Sequence, residues 1–309
     1  MRLRLQTLMV HLRFARLMIC VLILGSGLAA GQAPHARAAT KVFIVSWTPT
    51  RLVNGSPCLF QVRPGEELKS LTGSWLGHTF SFDPDTSRTS WTALAGIGLD
   101  TKPGIYFLEL QGEKAQAQPF HLRQAVRIGH AIYRSIALQV PGEFTAPPPE
   151  IVKRIEEESD FKKKIFETIS PARLWSGSFT APVGTATTDR FGTQRKFNGV
   201  LKSVHQGLDF HARTGTPVAA ANSGKVIVAR GLFGEGNCVM IDHGEGLITI
   251  YMHLSEFKVH EGDTVTRGQI VALSGGTGRA TGPHLHMGVR WQGVYVDPAS
   301  LFRLKLPGA

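Results

Sequence analysis

The 309-residue chain holds only three cysteines, Cys20, Cys58 and Cys238. A chain of this length can bury a core of its own and has room for two domains of ordinary size. A bridge between Cys58 and Cys238 is therefore allowed but not required, and two small buried thiols are the simpler expectation. Acidic residues are missing from the first 38 positions, which carry Arg2, Arg4, Arg13, Arg16 and Arg37 around an apolar run from Leu17 to about Ala30. That run falls short of the roughly 20 residues of a spanning helix and is broken by Gly25 and Gly27. The pattern is that of a secretory signal peptide over residues 1–38, with Ala36-Arg37-Ala38 as a small-x-small cleavage site and Ala29-Ala30 as a less regular second one. If uncleaved, the same segment is the chain's one expected tie to a membrane. Cys20 follows Ile19 inside the run, which argues against a lipid anchor.

Other absences narrow the function. No Lys/Arg block or basic stripe interleaved with aromatics occurs, so no nucleic-acid partner is expected. The formal net charge of +11 drops to about +6 without the five leader arginines, a moderately basic balance suited to some anionic polymer. No Gly-x-Ser-x-Gly nucleophile motif is present. The loop "SGGTGRATG" at 274–282 lacks the Gly-Lys-Ser/Thr ending of a phosphate-binding loop. Its glycines are expected to let backbone approach a bound peptide closely.

What is present reads as mostly β. From residue 40 to 125, segments such as "KVFIVSW", "CLFQVRP", "HTFSFD", "SWTALAGIGL", "GIYFLELQ" and "AQPFHL" alternate with turn pairs such as Asn54-Gly55 and Pro103-Gly104, which predicts an N-terminal β-sandwich-like domain. A linker over 126–174 contains the proline-rich "VPGEFTAPPPE". It continues into a helix at about 149–168, where Ile151, Ile155, Phe161, Ile165 and Phe166 recur at helical spacing among charges. That helix is expected to be a strut between domains. From 175 to 303, Gly-punctuated strands predict a second, compact all-β domain.

The chemistry gathers in this second region. In "GPHLHMGV" an extended backbone projects His284 and His286 to one face and Leu285 and Met287 to the other. "HQGLDF" adds His205 and Asp209 at i and i+4, a spacing that brings side chains to one side of a helix or a strand; Gly207 and the surrounding β texture favour the strand. With one histidine of the pair they make an N, N, O set, the number of protein ligands used by a catalytic zinc that keeps its fourth position open. Imidazole and carboxylate also suit zinc better than calcium or magnesium. His253 in "TIYMHLS" is a further candidate on an apolar strand. His211, two residues after Asp209, could face the same way and is a competing ligand candidate, while His243 and His260 sit at strand ends before turns.

The motifs "HQGLD", "YMHL" and "HLH", in this order, resemble the M23 peptidases, the lysostaphin and LytM type of zinc endopeptidases that cut peptidoglycan peptides. The likeness runs from about Phe179 to Pro298 and takes in "FGTQRKFNG", "GTPVAAANSGKV" and "VHEGDTVTRGQIVALSGGTGRATGPHLH". It implies a small antiparallel β domain with a narrow groove over one zinc ion. It also implies that His205, Asp209 and His286 bind the metal and that His253 and His284 are catalytic. None of the five positions departs from the pattern. His284 is then expected to be the general base and His253 a donor to the developing oxyanion, with the two roles exchangeable. The substrate expected is a cross-link or stem peptide of peptidoglycan, reached in the periplasm, cell envelope or extracellular space. The alternatives are a non-catalytic envelope protein that binds or activates another hydrolase, as in relatives that have lost zinc ligands, and an endopeptidase acting on a Gly-rich protein.

Overall fold

A computed structural model describes residues 42–138, 148–197 and 200–308. The expected signal peptide, its cleavage sites and Cys20 lie outside the described residues, as do residues 139–147 of the proline-rich linker. No helix among the described residues is long and apolar enough to cross a membrane.

The first β region is two sheets. One orders its strands Ile44–Thr48, Pro57–Arg63, Trp91–Gly96 and Asp83–Pro84; the other orders Leu52–Val53, Pro119–Gly129, Gly104–Lys114, Leu68–Trp75 and His78–Ser81. Alternation sets their faces. Phe60 and Val62 of one sheet and Trp75, Leu108, Leu110 and Val126 of the other are buried. Phe60 meets Trp75 edge-on with ring centroids 4.9 Å apart, which joins the two sheets as a sandwich. The strand Leu68–Trp75 is hard to read from sequence because a bulge between Leu68 and Ser70 breaks its alternation.

The second region is built on a sheet of ten strands. Its main path runs Thr187–Asp189, Gly207–Phe210, Leu285–Trp291, Leu247–Phe257, Gly236–Asp242, Gly224–Leu232 and Thr264–Val265. The linker contributes too: Ser135–Leu138 pairs parallel with Gln194–Phe197, which pairs in turn with Val200–Val204. A short helix, Pro298–Arg303, follows the sheet, capped by the Asp297 carboxylate accepting from the Ala299 and Ser300 N–H groups at 3.0 and 3.1 Å.

The two regions share one apolar core. Trp291 is almost fully buried and packs against Phe80 and His78 of the sandwich, with ring centroids 5.7 and 5.0 Å away. Cys58 and Cys238 are both buried free thiols.

The two faces of the ten-stranded sheet differ, and this positions the site. Leu208, Phe210, Leu247, Tyr251, Leu285, Met287 and Val289 point into the shared core. The opposite face carries Val228, Leu232, Cys238, Met240, Ile248 and Ile250. Over that second group lies the helix Pro149–Glu167, covering it with Phe161, Ile165 and Phe166. The expected strut is therefore a cover, because its apolar stripe finds an apolar sheet face to bury.

Candidate metal centre

Three neighbouring strands set the site. Asp209 on Gly207–Phe210 is the register partner of His286 on Leu285–Trp291, which is the register partner of Met252 on Leu247–Phe257. Directly opposed residues share a face, so Asp209 and His286 lie on the helix-covered face, beyond the part the helix covers. His286 Nδ1 is 2.8 Å from Asp209 Oδ1.

His205 arrives differently from the expected single strand. It sits in a two-residue break between Val200–Val204 and Gly207–Phe210, where its N–H donates to the Thr193 carbonyl at 2.9 Å and its carbonyl accepts from Gly192 at 2.8 Å. The break turns the ring in, so that Nε2 lies 3.1 Å from Asp209 Oδ1 and 3.0 Å from His286 Nδ1. Among the described residues, His205, Asp209 and His286 form the one cluster whose donor atoms converge in this way.

His253 depends on a bulge. Met252 faces the site, so strict alternation would send His253 to the other side. Between the register pairs Val239–Tyr251 and Asn237–Leu254 the strand carries one extra residue, and His253 takes a left-handed φ of 61°. Bulges re-aim side chains next to active sites, and His tolerates this region better than branched residues do. The ring swings back to 4.7 Å from that of His284 and 6.2 Å from that of His286, centroid to centroid. His284 enters through an isolated bridge to Gly275, just before its strand, with Nε2 4.0 Å from Asp209 Oδ1.

The hydrogen bonds fix where the protons are. A carbonyl can only accept, so His205 Nδ1 donates to Arg190 O at 2.9 Å, His253 Nδ1 to Thr277 O at 2.9 Å and His284 Nδ1 to Gly282 O at 2.8 Å. Each of these imidazoles, when neutral, therefore presents a lone pair at Nε2. Burial pushes His253 down to about 4, with His284 and His286 adding to the effect against the opposing Thr277 hydrogen bond. Burial likewise lowers His286, against the pull of Asp209. Burial alone would raise the Asp209 carboxyl, but the two imidazoles beside it hold it well below the usual carboxylate range.

The result is an ionised carboxylate oxygen and two imidazole nitrogens within 3.1 Å of one another. When both rings are neutral, with the Nδ1 proton of His205 committed to Arg190, at most one proton remains to share among three electron-rich atoms. A cation removes that conflict. Ligands about 2.0–2.1 Å from a tetrahedral zinc stand roughly 3.4 Å apart, close to the observed triangle. The residues present thus fit a zinc ion.

Sequence reasoning missed the residues that hold this triangle. Asp189 accepts from Thr193 Oγ1 at 2.7 Å and Arg195 Nη2 at 2.8 Å, and its Oδ2 lies 3.5 Å from His205 Nδ1. The same Arg195 nitrogen is 3.6 Å from the outer oxygen of Asp209. Such outer partners orient a ligating histidine. At Gly207 a Cβ would stand 2.4 Å from His286 Nε2, so this glycine makes room for the ring. Within 274–282, Gly278 allows close loop-on-loop packing: a Cβ there would stand 2.2 Å from Gly236 N, and one at Gly236 2.4 Å from the Thr277 backbone.

The other histidine candidates read from this region, His211, His243 and His260, stand apart from the site. His211 is exposed just past its strand, and His260 is exposed in a turn. His243 is fully buried, which the sequence did not lead us to expect, with Nδ1 on the Ser223 carbonyl at 2.7 Å and Nε2 on Thr249 Oγ1 at 2.8 Å.

Comparison with known proteins points the same way. Residues 203–298 match Peptidase family M23. The chain is 47% identical over 94 residues to the peptidoglycan DD-endopeptidase ShyA of Vibrio cholerae, covering 30% of this chain and 22% of that one. It is 44% identical over 98 residues to the DD-carboxypeptidase/endopeptidase Mpg of Neisseria meningitidis, covering 32% of this chain and 23% of that one. The chain thus spans about a fifth to a quarter of the length of these curated relatives. A crystal structure of a Pseudomonas aeruginosa protein assigned to peptidase M23 superposes with a TM-score of 0.64 at 31% identity, over 82% of this chain and 95% of that one. By that near-complete coverage, the chain belongs to peptidase family M23.

Proposed function

We propose that the protein is an exported zinc endopeptidase that hydrolyses peptide bonds, cross-link or stem, in bacterial peptidoglycan. One observation carries the reading: the donor triangle of His205, Asp209 and His286 lies beside the Nε2 lone pairs of two further histidines, His253 and His284, on one face of the sheet. The relatives named as peptidoglycan endopeptidases supply the substrate class. The arginine-rich, acid-free leader of residues 1–38 supports export to the envelope.

One zinc ion per catalytic domain would be held by His205 Nε2, Asp209 Oδ1 and His286 Nδ1. When bound, it supplies a Lewis acid and lowers the pKa of a water toward about 7. The chain's own residues move the proton. When neutral, His284 presents its Nε2 lone pair and is the more exposed of the two catalytic candidates; it takes a proton from the attacking water there. His284 then returns the proton from Nε2 to the leaving amine.

The part of His253 differs from the oxyanion donor expected from sequence. Its Nδ1 proton is committed to Thr277, and burial keeps the ring neutral. Nε2 therefore accepts a hydrogen bond and orients the attacking water rather than donating to the oxyanion.

Mass spectrometry of fragments released from purified peptidoglycan tests this reading, with the protein as prepared, after chelation and after zinc is restored. Zinc-dependent release of peptide-cleaved fragments is expected, and their masses name the bond. Intact stems and cross-links in every arm, with a Gly-rich protein cleaved instead, would move the substrate away from the wall.

A further inference from the structure

The helix Pro149–Glu167 lies on the sheet face that carries the donor triangle, and its polar side chains reach one loop, residues 233–236, at the edge of the site. Glu158 Oε2 accepts from the Phe233 N–H at 2.7 Å. Lys162 Nζ pairs with Glu235, and both side chains are largely shielded from solvent. The Glu235 carbonyl in turn accepts the backbone N–H of His253 at 2.8 Å.

That hydrogen bond holds the residue whose backbone is left-handed and whose ring faces the site only because of the bulge. A left-handed conformation at a residue other than glycine persists where its surroundings over-determine it. Here the surroundings are a clamp. On one side stands the helix, through Glu158 and Lys162. On the other stands the loop after Ser274, where Thr277 Oγ1 accepts from Asn237 N–H at 2.8 Å, Arg279 N–H donates to Gly234 O at 3.0 Å and Thr277 O accepts from the His253 ring. Loop 233–236 is gripped between them, and both the backbone and the ring of His253 are fixed by the grip.

We infer that Glu158 and Lys162 of the linker helix are positioning residues for His253, so that the helix outside the M23-matched segment forms part of the catalytic apparatus. This rests on the reading of His253 as a residue of turnover. Helix docking is also driven by Phe161, Ile165 and Phe166 and by Arg230 and Arg290, whose guanidinium carbons lie 4.5 and 3.9 Å from the Phe161 and Phe166 ring centroids. Loss of one polar tie therefore leaves the helix in place and loosens the loop alone.

The test uses the full chain with zinc, and purified peptidoglycan as substrate. Lys162→Met and Glu158→Gln are each expected to lower kcat about 10- to 100-fold, as a small misplacement of a reacting group does, with KM and zinc content unchanged. Lys162→Arg should recover most of the loss, as should the exchanged pair Lys162→Glu with Glu235→Lys. The Nδ1–H resonance of His253, held by Thr277, should weaken or shift in the two impaired variants and return in the rescued ones. Lys153→Met serves as control, since its partner Glu157 is exposed on the solvent side of the helix, and should leave kcat as it is.

Unchanged kcat and an unchanged His253 resonance in both Lys162→Met and Glu158→Gln would overturn the inference, as would a loss that Lys162→Arg fails to rescue. His253→Ala in the same assay separates the two levels. If it abolishes turnover while the helix variants do not, only the positioning role falls. Should His253→Ala leave turnover intact, the reading of the site itself is wrong.

Discussion

The two β regions bury different things. Among the described residues the sandwich buries two polar side chains, Asn54 and Ser56, whereas the region after Trp175 buries nine, four of them His205, Asp209, His243 and His253. A buried polar group is costly unless it is paired, so each of the nine needs partners inside the protein. What the second region gains is visible in its histidines. His243 is as buried as any, yet both its nitrogens are satisfied within the protein and nothing is left to bind. His205 has one nitrogen satisfied and aims the other at a carboxylate and a second imidazole. Burial alone does not separate a structural histidine from a ligand; the fate of the second lone pair does.

The contrast can be broken at several points. The largest effect is expected at the triangle, where Ala in place of His205, Asp209 or His286 should reduce peptidoglycan cleavage to background, read as fragment release per folded molecule. In the sandwich, Phe60→Ala should cost about 3–5 kcal/mol in urea unfolding and leave the zinc content of the folded protein at the parent's value. His284→Ala and His253→Ala should keep zinc and lose about 100- to 1,000-fold in kcat, the usual scale for one positioned polar group. Gly207→Ala places a methyl 2.4 Å from the His286 ring and 2.6 Å from the Met287 carbonyl. It should destabilise by about 1–3 kcal/mol and weaken zinc binding in a chelator competition.

The smallest effect is a pH dependence at His243. Burial pushes this ring down to about 4 from 6.5, against the raising influences of Ser223 and Asp242. Unfolding therefore takes up a proton between those values. The group costs nothing above its unfolded pKa, and stability falls as pH drops below 6.5, by about 2 kcal/mol at pH 5. His243→Gln keeps a polar side chain but does not titrate. The difference in metal-free urea midpoint between pH 7.5 and pH 5 should shrink in this variant relative to the parent.

Much of the site could be read before the fold was known, for reasons that differ by residue. The alternation of "HLH" puts two imidazoles on one face whatever the tertiary context. His205 and Asp209 do lie together, but through the two-residue gap between their strands rather than along one continuous strand. His253 could not be placed by alternation, because the bulge that turns it is a property of the register with Asn237 and Val239. The carbonyls of Arg190, Gly282 and Thr277 that set the tautomers belong to backbone and leave no mark on residue type. The helix was legible from its spacing, but the sheet face it covers became visible only when Ile248, Ile250 and Met240 were seen side by side.

Native mass spectrometry of the metal-free protein titrated with zinc, beside the His243→Gln and His286→Ala variants, tests the metal centre most directly. The parent and His243→Gln should each take up a single zinc ion, and His286→Ala none at the same concentration. Full zinc occupancy in His286→Ala, or none in the parent, would contradict the assignment of His205, Asp209 and His286 as the metal centre.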